Sequence, residues 1–161
     1  MPSSLLVRTL QQVDWDQVME TYADAVHTLA PPLYRPEQIQ AWAAYPTTHA
    51  AVHEALGRGY GLVGTTADRP SAVEAFALLD PMDRLALLYC RGRSSRKGLA
   101  TRLVQSLEAH ARRAGQSQLR TEASQLSRPL FERLGWRVEE EETILFAGQP
   151  FLRWRMRTTL I

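Results

Sequence analysis

From residue 98 to 114 the apolar side chains Leu99, Leu103, Leu107 and Ala111 recur every fourth position, with Ala100 and Val104 beside them and Gly115 just beyond. Only an amphipathic helix with one buried stripe satisfies that spacing, and such a stripe needs an apolar surface to lie on. The preceding segments supply it. Residues 60–66, 72–79 and 84–90 have strand composition, and Asp68-Arg69-Pro70 and Asp80-Pro81-Met82-Asp83 break them as hairpin turns. This predicts an antiparallel meander followed by a long helix. Downstream, 117–123 reads as a strand, 127–134 as a short helix closed by Gly135, and 137–147 and 151–159 as a last pair of strands. Upstream, 5–10 suits a first strand, and Asp14 suits the N-cap of a helix to about Leu29, ended by Pro31-Pro32. A second helix starts at Pro36 with Ile39, Trp42 and Ala43 on one side, and a third runs from Thr47 or Thr48 to Leu56, closing at Gly57. The order is that of an α+β fold with a mixed sheet.

A chain of 161 residues, 45% hydrophobic and 22% charged, fits one globular domain over 1–161 and argues against disorder. Cys90 is the only cysteine, which excludes an internal disulfide and a cysteine-based zinc site. The first residues carry no basic segment ahead of an apolar run, and nowhere do about 18 apolar residues follow one another. No secretion signal or membrane span is expected, so the default setting is cytoplasmic. The net charge of +2 hides an uneven distribution: residues 1–83 carry 4 Arg against 10 acids, 84–120 carry 8 Arg and Lys97 against Glu108, and 121–161 carry 6 of each sign. The basic middle suits an anionic ligand. It would also suit nucleic acid, but no recognition-helix pair or aromatic-rich sheet motif accompanies it, so no nucleic-acid partner is expected.

The basic block contains Leu87-Leu88-Tyr89-Cys90-Arg91-Gly92-Arg93-Ser94-Ser95-Arg96-Lys97-Gly98-Leu99-Ala100: an apolar strand, a loop, and a helix that starts at glycine. Unpaired N–H groups and the positive end of the helix dipole face such a loop, which makes it a seat for phosphate. A side chain at Gly98 would crowd a ligand lying on the backbone, and a small residue at Ala100 keeps the first turn open. Arg91, Arg93, Arg96 and Lys97 add charge around it. An ordinary solvated loop fits the same residues taken alone.

Context narrows the choice. That loop, then Leu107-Glu108-Ala109-His110-Ala111, Thr121-Glu122-Ala123-Ser124 and Arg128-Pro129-Leu130-Phe131-Glu132-Arg133-Leu134-Gly135-Trp136 together resemble the GNAT superfamily of N-acetyltransferases, from about Tyr60 to the end. Tyr34-Arg35-Pro36-Glu37-Gln38-Ile39-Gln40-Ala41-Trp42 is similar to the stretch before the meander in a small bacterial subgroup of that superfamily. The resemblance implies a mixed, mostly antiparallel sheet of six to seven strands flanked by helices, with strands splayed at a cofactor cleft. It implies acetyl-CoA as donor, its pyrophosphate on the main chain of Ser95, Arg96, Lys97, Gly98, Leu99, Ala100 and Thr101, and its pantetheine arm between the strands ending at Cys90 and Ala123, pairing near Tyr89 and Cys90. In the family a glutamine or arginine stands where this chain has Ser95, whose hydroxyl and N–H remain as donors. Ser124 stands where an asparagine often touches the pantetheine arm.

The family chemistry is direct attack of a neutral amine on the thioester, with a main-chain N–H near Tyr89 or Cys90 polarising the carbonyl. An alkylammonium titrates near ~10.4 and must lose a proton, for which Glu122 is the candidate base. The position at which many members carry a proton-donating tyrosine holds Phe131; Tyr89 or Ser124 are the substitutes to consider. Tyr34 and Trp42 are candidates for the wall of an acceptor pocket, although aromatics at helical spacing are more often core. Glu122 could equally cap a helix or pair with an arginine. His49 and His53 stand four apart but lack a third ligand, so no metal is expected. Cys90 reads as an apolar filler, and Glu139-Glu140-Glu141-Glu142 as a solvated hairpin edge. The expected activity is acetyl transfer to a primary amine of a small molecule or peptide, with a non-catalytic acyl-CoA-binding regulator as the alternative; a homodimer is compatible with so small a domain.

Overall fold

The computed structural model describes residues 4–161. Its strands are β1 Leu5–Thr9, β2 Tyr60–Thr66, β3 Ala75–Leu79, β4 Arg84–Cys90, β5 Gln118–Ala123, β6 Arg137–Phe146 and β7 Gln149–Thr159. Its helices are α1 Trp15–Leu29, α2 Pro36–Thr48, α3 Ala51–Arg58, α4 Leu99–Arg113 and α5 Arg128–Arg133. One seven-stranded sheet runs β1-β2-β3-β4-β5-β7-β6, antiparallel throughout except for β4 beside β5. This is the GNAT-like α+β fold. No helix among the described residues is long and apolar enough to cross a membrane.

Each face of the sheet has its own core. On one face α4 buries Leu99, Leu103, Leu107 and Ala111 with Leu119, Phe131, Trp136 and Met156. Gly64 admits the helix there, because a Cβ at that position would lie 2.6 Å from Leu99 Cδ1. On the other face α1, α2 and α3 gather Tyr22, Trp42, Val52 and Leu56 over Val63, Phe76 and Leu78. β6 is an edge strand, and its glutamates are laced to β7 by Arg153–Glu142 and Arg157–Glu139 pairs.

Several expected boundaries move for identifiable reasons. α2 runs through Pro46 to Thr48 instead of yielding to a third helix at Thr47 or Thr48. Pro46 has no N–H for the Trp42 carbonyl one turn back; the Tyr22 hydroxyl donates to that oxygen instead, at 2.8 Å. α3 ends not at Gly57 but at Gly59, whose N–H donates to the Ala55 carbonyl and where a Cβ would lie 2.5 Å from the Leu79 carbonyl oxygen. Asp14 closes a short 3-10 turn rather than capping α1 with its side chain, and its carboxylate accepts from the Gln11 N–H and pairs with Arg8. β3 starts at Ala75, not 72, because Val73 is tied to α1: its N–H donates to Gln17 Oε1 and its carbonyl accepts from Thr21.

Candidate active site

β4 and β5 pair only at Arg84 with Arg120 and Leu85 with Thr121. Beyond that rung they part. The cause lies in β4, where an extra residue at Ala86 breaks the register against Leu78 and Leu79, and such a bulge bends the strand that carries it. The Thr121 hydroxyl donates to the Leu85 carbonyl at 2.7 Å and closes the last shared step. A cavity of about 470 Å³ opens here, bounded by Leu87, Leu88, Tyr89 and Cys90 of β4, Glu122 and Ser124 at the end of β5, and Ala100 of α4.

At the end of β4 the chain makes a 3-10 turn, Gly92–Ser94, and then two left-handed steps, Arg96 at φ 61° and Gly98 at φ 88°. Alternation of this kind turns successive N–H groups toward one point and forms an anion-binding nest. Among the described residues the N–H groups of 96–101 have no acceptor; the first helical bond of α4 is Arg102 N–H to Gly98 O. Arg96, Lys97 and Gly98 are exposed.

The rest of the loop differs from expectation. Ser95 gives both donors to the Gly92 carbonyl, N–H at 3.2 Å and Oγ at 2.8 Å, so it has none left for a ligand. Arg91 and Arg93 are engaged within the chain: Arg91 Nε donates to the Val73 carbonyl, and Arg93, its side chain still half-exposed, grips Glu74 at 2.6 and 2.9 Å. Glu74 is fully buried and also accepts from Ser94 Oγ at 2.5 Å. The Arg93 hydrogen bond, with Ser94 and the nearby Arg91, holds its carboxyl below the usual glutamate range. Together with the Gly92 N–H on Asp24 at 2.9 Å, this strut anchors the turn from below. The sequence signal for it is one carboxylate in the otherwise apolar run Val73-Glu74-Ala75-Phe76-Ala77, which the sequence reading passed over.

Opposite α4, the cavity wall is aromatic. Trp42 Nε1 donates to the Tyr89 hydroxyl at 3.0 Å, and the Tyr22 ring lies 4.4 Å from Tyr89. Burial pushes the Tyr89 phenol up to about 12 and Tyr22 further. The Tyr34 hydroxyl sits at the other end of the wall and accepts the Gln125 N–H at 3.0 Å, just past β5; burial raises its pKa too. Trp42 thus belongs to the core and to the cavity lining at once.

Glu122 lines the cavity in an ion pair with Arg84 at 3.0 Å, and Arg84 also donates to the Asp80 carbonyl. Ser124 and Ser127 exchange N–H and Oγ bonds at 3.0 and 3.1 Å, which closes the turn between β5 and α5. Phe131 is buried against Trp136, ring centroids 4.8 Å apart. Cys90 packs into the α4 core, its thiol pushed up to about 12 by burial and then by Glu74 and Asp24. His49 stacks on Tyr45 and His53 lies edge-on to Trp15.

Known proteins share this architecture. The chain is 24% identical over 159 residues to an uncharacterized N-acetyltransferase of Escherichia coli, YafP, covering 96% of each. Its fold matches a GCN5-related N-acetyltransferase structure from Rhodopseudomonas palustris with a TM-score of 0.90 at 21% identity, over 99% of this chain and 98% of the other. It also matches the PaiA N-acetyltransferase of Thermoplasma acidophilum, solved with coenzyme A, with a TM-score of 0.75 at 17% identity over 97% and 99% of the chains. The family model described as an acetyltransferase (GNAT) domain matches residues 31–158, most of the sequence, and on that ground the chain belongs to the GNAT acetyltransferase family.

Proposed function

We propose that this protein transfers an acetyl group from acetyl-CoA to a primary amine by direct attack. The carrying observation is the run of acceptor-less N–H groups at 96–101, set beside the point where β4 and β5 part. PaiA is described with coenzyme A, and the structure of yncA from Salmonella typhimurium with acetyl-CoA. Those amides, with Arg96 and Lys97, have the form and charge to hold a pyrophosphate. The uncovered edge of β4 at Tyr89 and Cys90 has main-chain groups for a pantetheine arm and an N–H for the carbonyl oxygen. When bound, acetyl-CoA supplies the activated acyl group. Glu122 takes the proton from the amine, directly or through water, while Arg84 keeps its carboxylate in place.

Phe131 has no proton to give. Tyr34 is the phenol placed to replace it: its oxygen accepts from the Gln125 N–H beside Ser124 at the cavity lining, and it keeps a proton of its own. Tyr22, by contrast, donates to the Trp42 carbonyl; Tyr89 accepts from the Trp42 indole, so it retains a proton and stands as the second candidate.

Calorimetry with acetyl-CoA, followed by a thiol-release assay over an amine panel, tests the proposal. Binding and release are expected. The apolar Phe131 favours a second reading, a regulator that binds acyl-CoA, which predicts binding without release for any amine. Gly98→Ala is expected to weaken acetyl-CoA about ten-fold, since a Cβ at φ 88° is strained by roughly 1–2 kcal/mol and relief of that strain turns the loop amides away from their common point. Glu122→Gln preserves a hydrogen bond to Arg84 but cannot take a proton. We expect kcat/KM to fall about 100-fold; an unchanged rate would remove Glu122 as the base.

A further inference from the structure

We infer that the acceptor is a small monoamine carried on an uncharged, ring-sized apolar body, of the arylalkylamine class, and not a peptide, a polyamine or an amino acid. The inference rests on the acetyltransferase reading above. Three features of the cavity on the aromatic side of the gap carry it.

The first is the wall. Tyr22, Trp42 and Tyr45 from the helices join Phe146 and Phe151 of the last hairpin in one packed aromatic wall, Trp42 and Phe151 6.0 Å and Tyr45 and Phe146 4.2 Å apart between ring centroids. An aromatic wall suits an aromatic body laid against it, and its ring faces also attract a single ammonium head on its way to the base.

The second is charge. Each arginine of the lining is already paired: Arg58 with Asp80 at 2.8 Å, Arg84 with Glu122 at 3.0 Å, and Arg153 with Glu142 at 2.6 Å, a carboxylate that Arg155 shares at 3.2 Å. A carboxylate on the acceptor would have to break one of these pairs or remain desolvated. A second ammonium meets the same difficulty, because the carboxylates are engaged as well.

The third is closure. α2 is fastened to the hairpin over the cavity: Gln38 Nε2 donates to the Pro150 carbonyl at 2.8 Å, and the Tyr45 and Phe146 rings touch at 4.2 Å between centroids. An extended peptide needs an open groove with main-chain partners along its length. The free strand edge here belongs to β4, on the path already assigned to the donor.

The test uses the full chain with phenethylamine, phenylalanine, spermidine and a tripeptide with a free N-terminus. Acetyl-CoA binding is measured first by calorimetry without any amine; its absence sinks the acetyltransferase reading. Amine binding is then measured by calorimetry with and without coenzyme A, which reads the pocket independently of turnover. Phenethylamine is expected to bind at least about ten-fold tighter than the other three and to give the highest kcat/KM. Phe146→Asp, at a half-buried hairpin position, should weaken phenethylamine at least about ten-fold and leave acetyl-CoA affinity unchanged. Tyr45→Ala repeats that comparison on the opposite lip should the hairpin variant fold poorly. Preference for phenylalanine, spermidine or the tripeptide overturns the inference, and so does failure of phenethylamine to bind.

Discussion

Replacing Glu74 by alanine is expected to lower stability by about 2–3 kcal/mol and to weaken acetyl-CoA binding about ten-fold while leaving kcat for a saturated enzyme near its original value. The carboxylate is fully buried and accepts from Arg93 twice and from Ser94 once. Removing one partner of a buried ion pair ordinarily costs about 3–5 kcal/mol, because the other is left uncompensated. The Arg93 side chain is 46% exposed and can recover water, which reduces the figure. At this chain length the loss corresponds to about 5–10 °C in Tm. The binding effect follows from position: the turn Gly92–Ser94 is pinned by this strut, and the free amides begin two residues later. The sign with pH is fixed by the direction of the shift. The folded pKa of Glu74 lies below its ordinary value of 4.5, so its stabilisation is complete above that value and is lost as pH falls through the folded pKa. Thermal melts of both proteins from pH 7 to 3 should therefore converge in acid. A gap that stays constant to pH 3 would show that the Glu74 charge contributes nothing.

Tyr34→Phe should reduce kcat about 100-fold, far more than it changes acetyl-CoA affinity. General acid catalysis is worth about 10²–10⁴-fold, and the lower end applies because a thiol with a pKa near ~8.5 can also depart as thiolate. Burial lifts the Tyr34 phenol above its usual value of 10.0, so in the parent enzyme kcat should show no loss from its ionisation up to that pH. The substitution also takes an acceptor from the Gln125 N–H. If that were its whole effect, Tm and acetyl-CoA affinity would move and kcat would not. Pre-steady-state thiol release at saturating amine separates the two, and an unchanged rate of release excludes Tyr34 as the acid.

What could be read without coordinates was whatever depends on residues close together in the chain. The stripe from Leu99 to Ala111 specified α4 and the face it buries, the meander followed from strand composition and turn residues, and Gly98 marked a helix start with free amides. The parting of β4 from β5 entered through family likeness alone, since the slip at Ala86 is visible only as register against β3.

Local order in the sequence thus determined the elements, their sequence along the chain and the amide-rich loop, because helix periodicity, strand alternation and glycine conformation act over a few residues. Tertiary structure alone decided which charges face the ligand. Arg91 and Arg93 look identical to Arg96 in sequence, yet Glu74, about 20 residues away, engages the Arg93 guanidinium, whereas Arg96 stays exposed beside the free amides. It also decided the aromatic wall of the cavity: Tyr22, Trp42, Tyr89 and Phe151 come from four separate elements, and only packing across one face of the sheet makes them neighbours. Long-range pairing of charges and rings obeys the geometry of the folded sheet, and no spacing along a single chain records it.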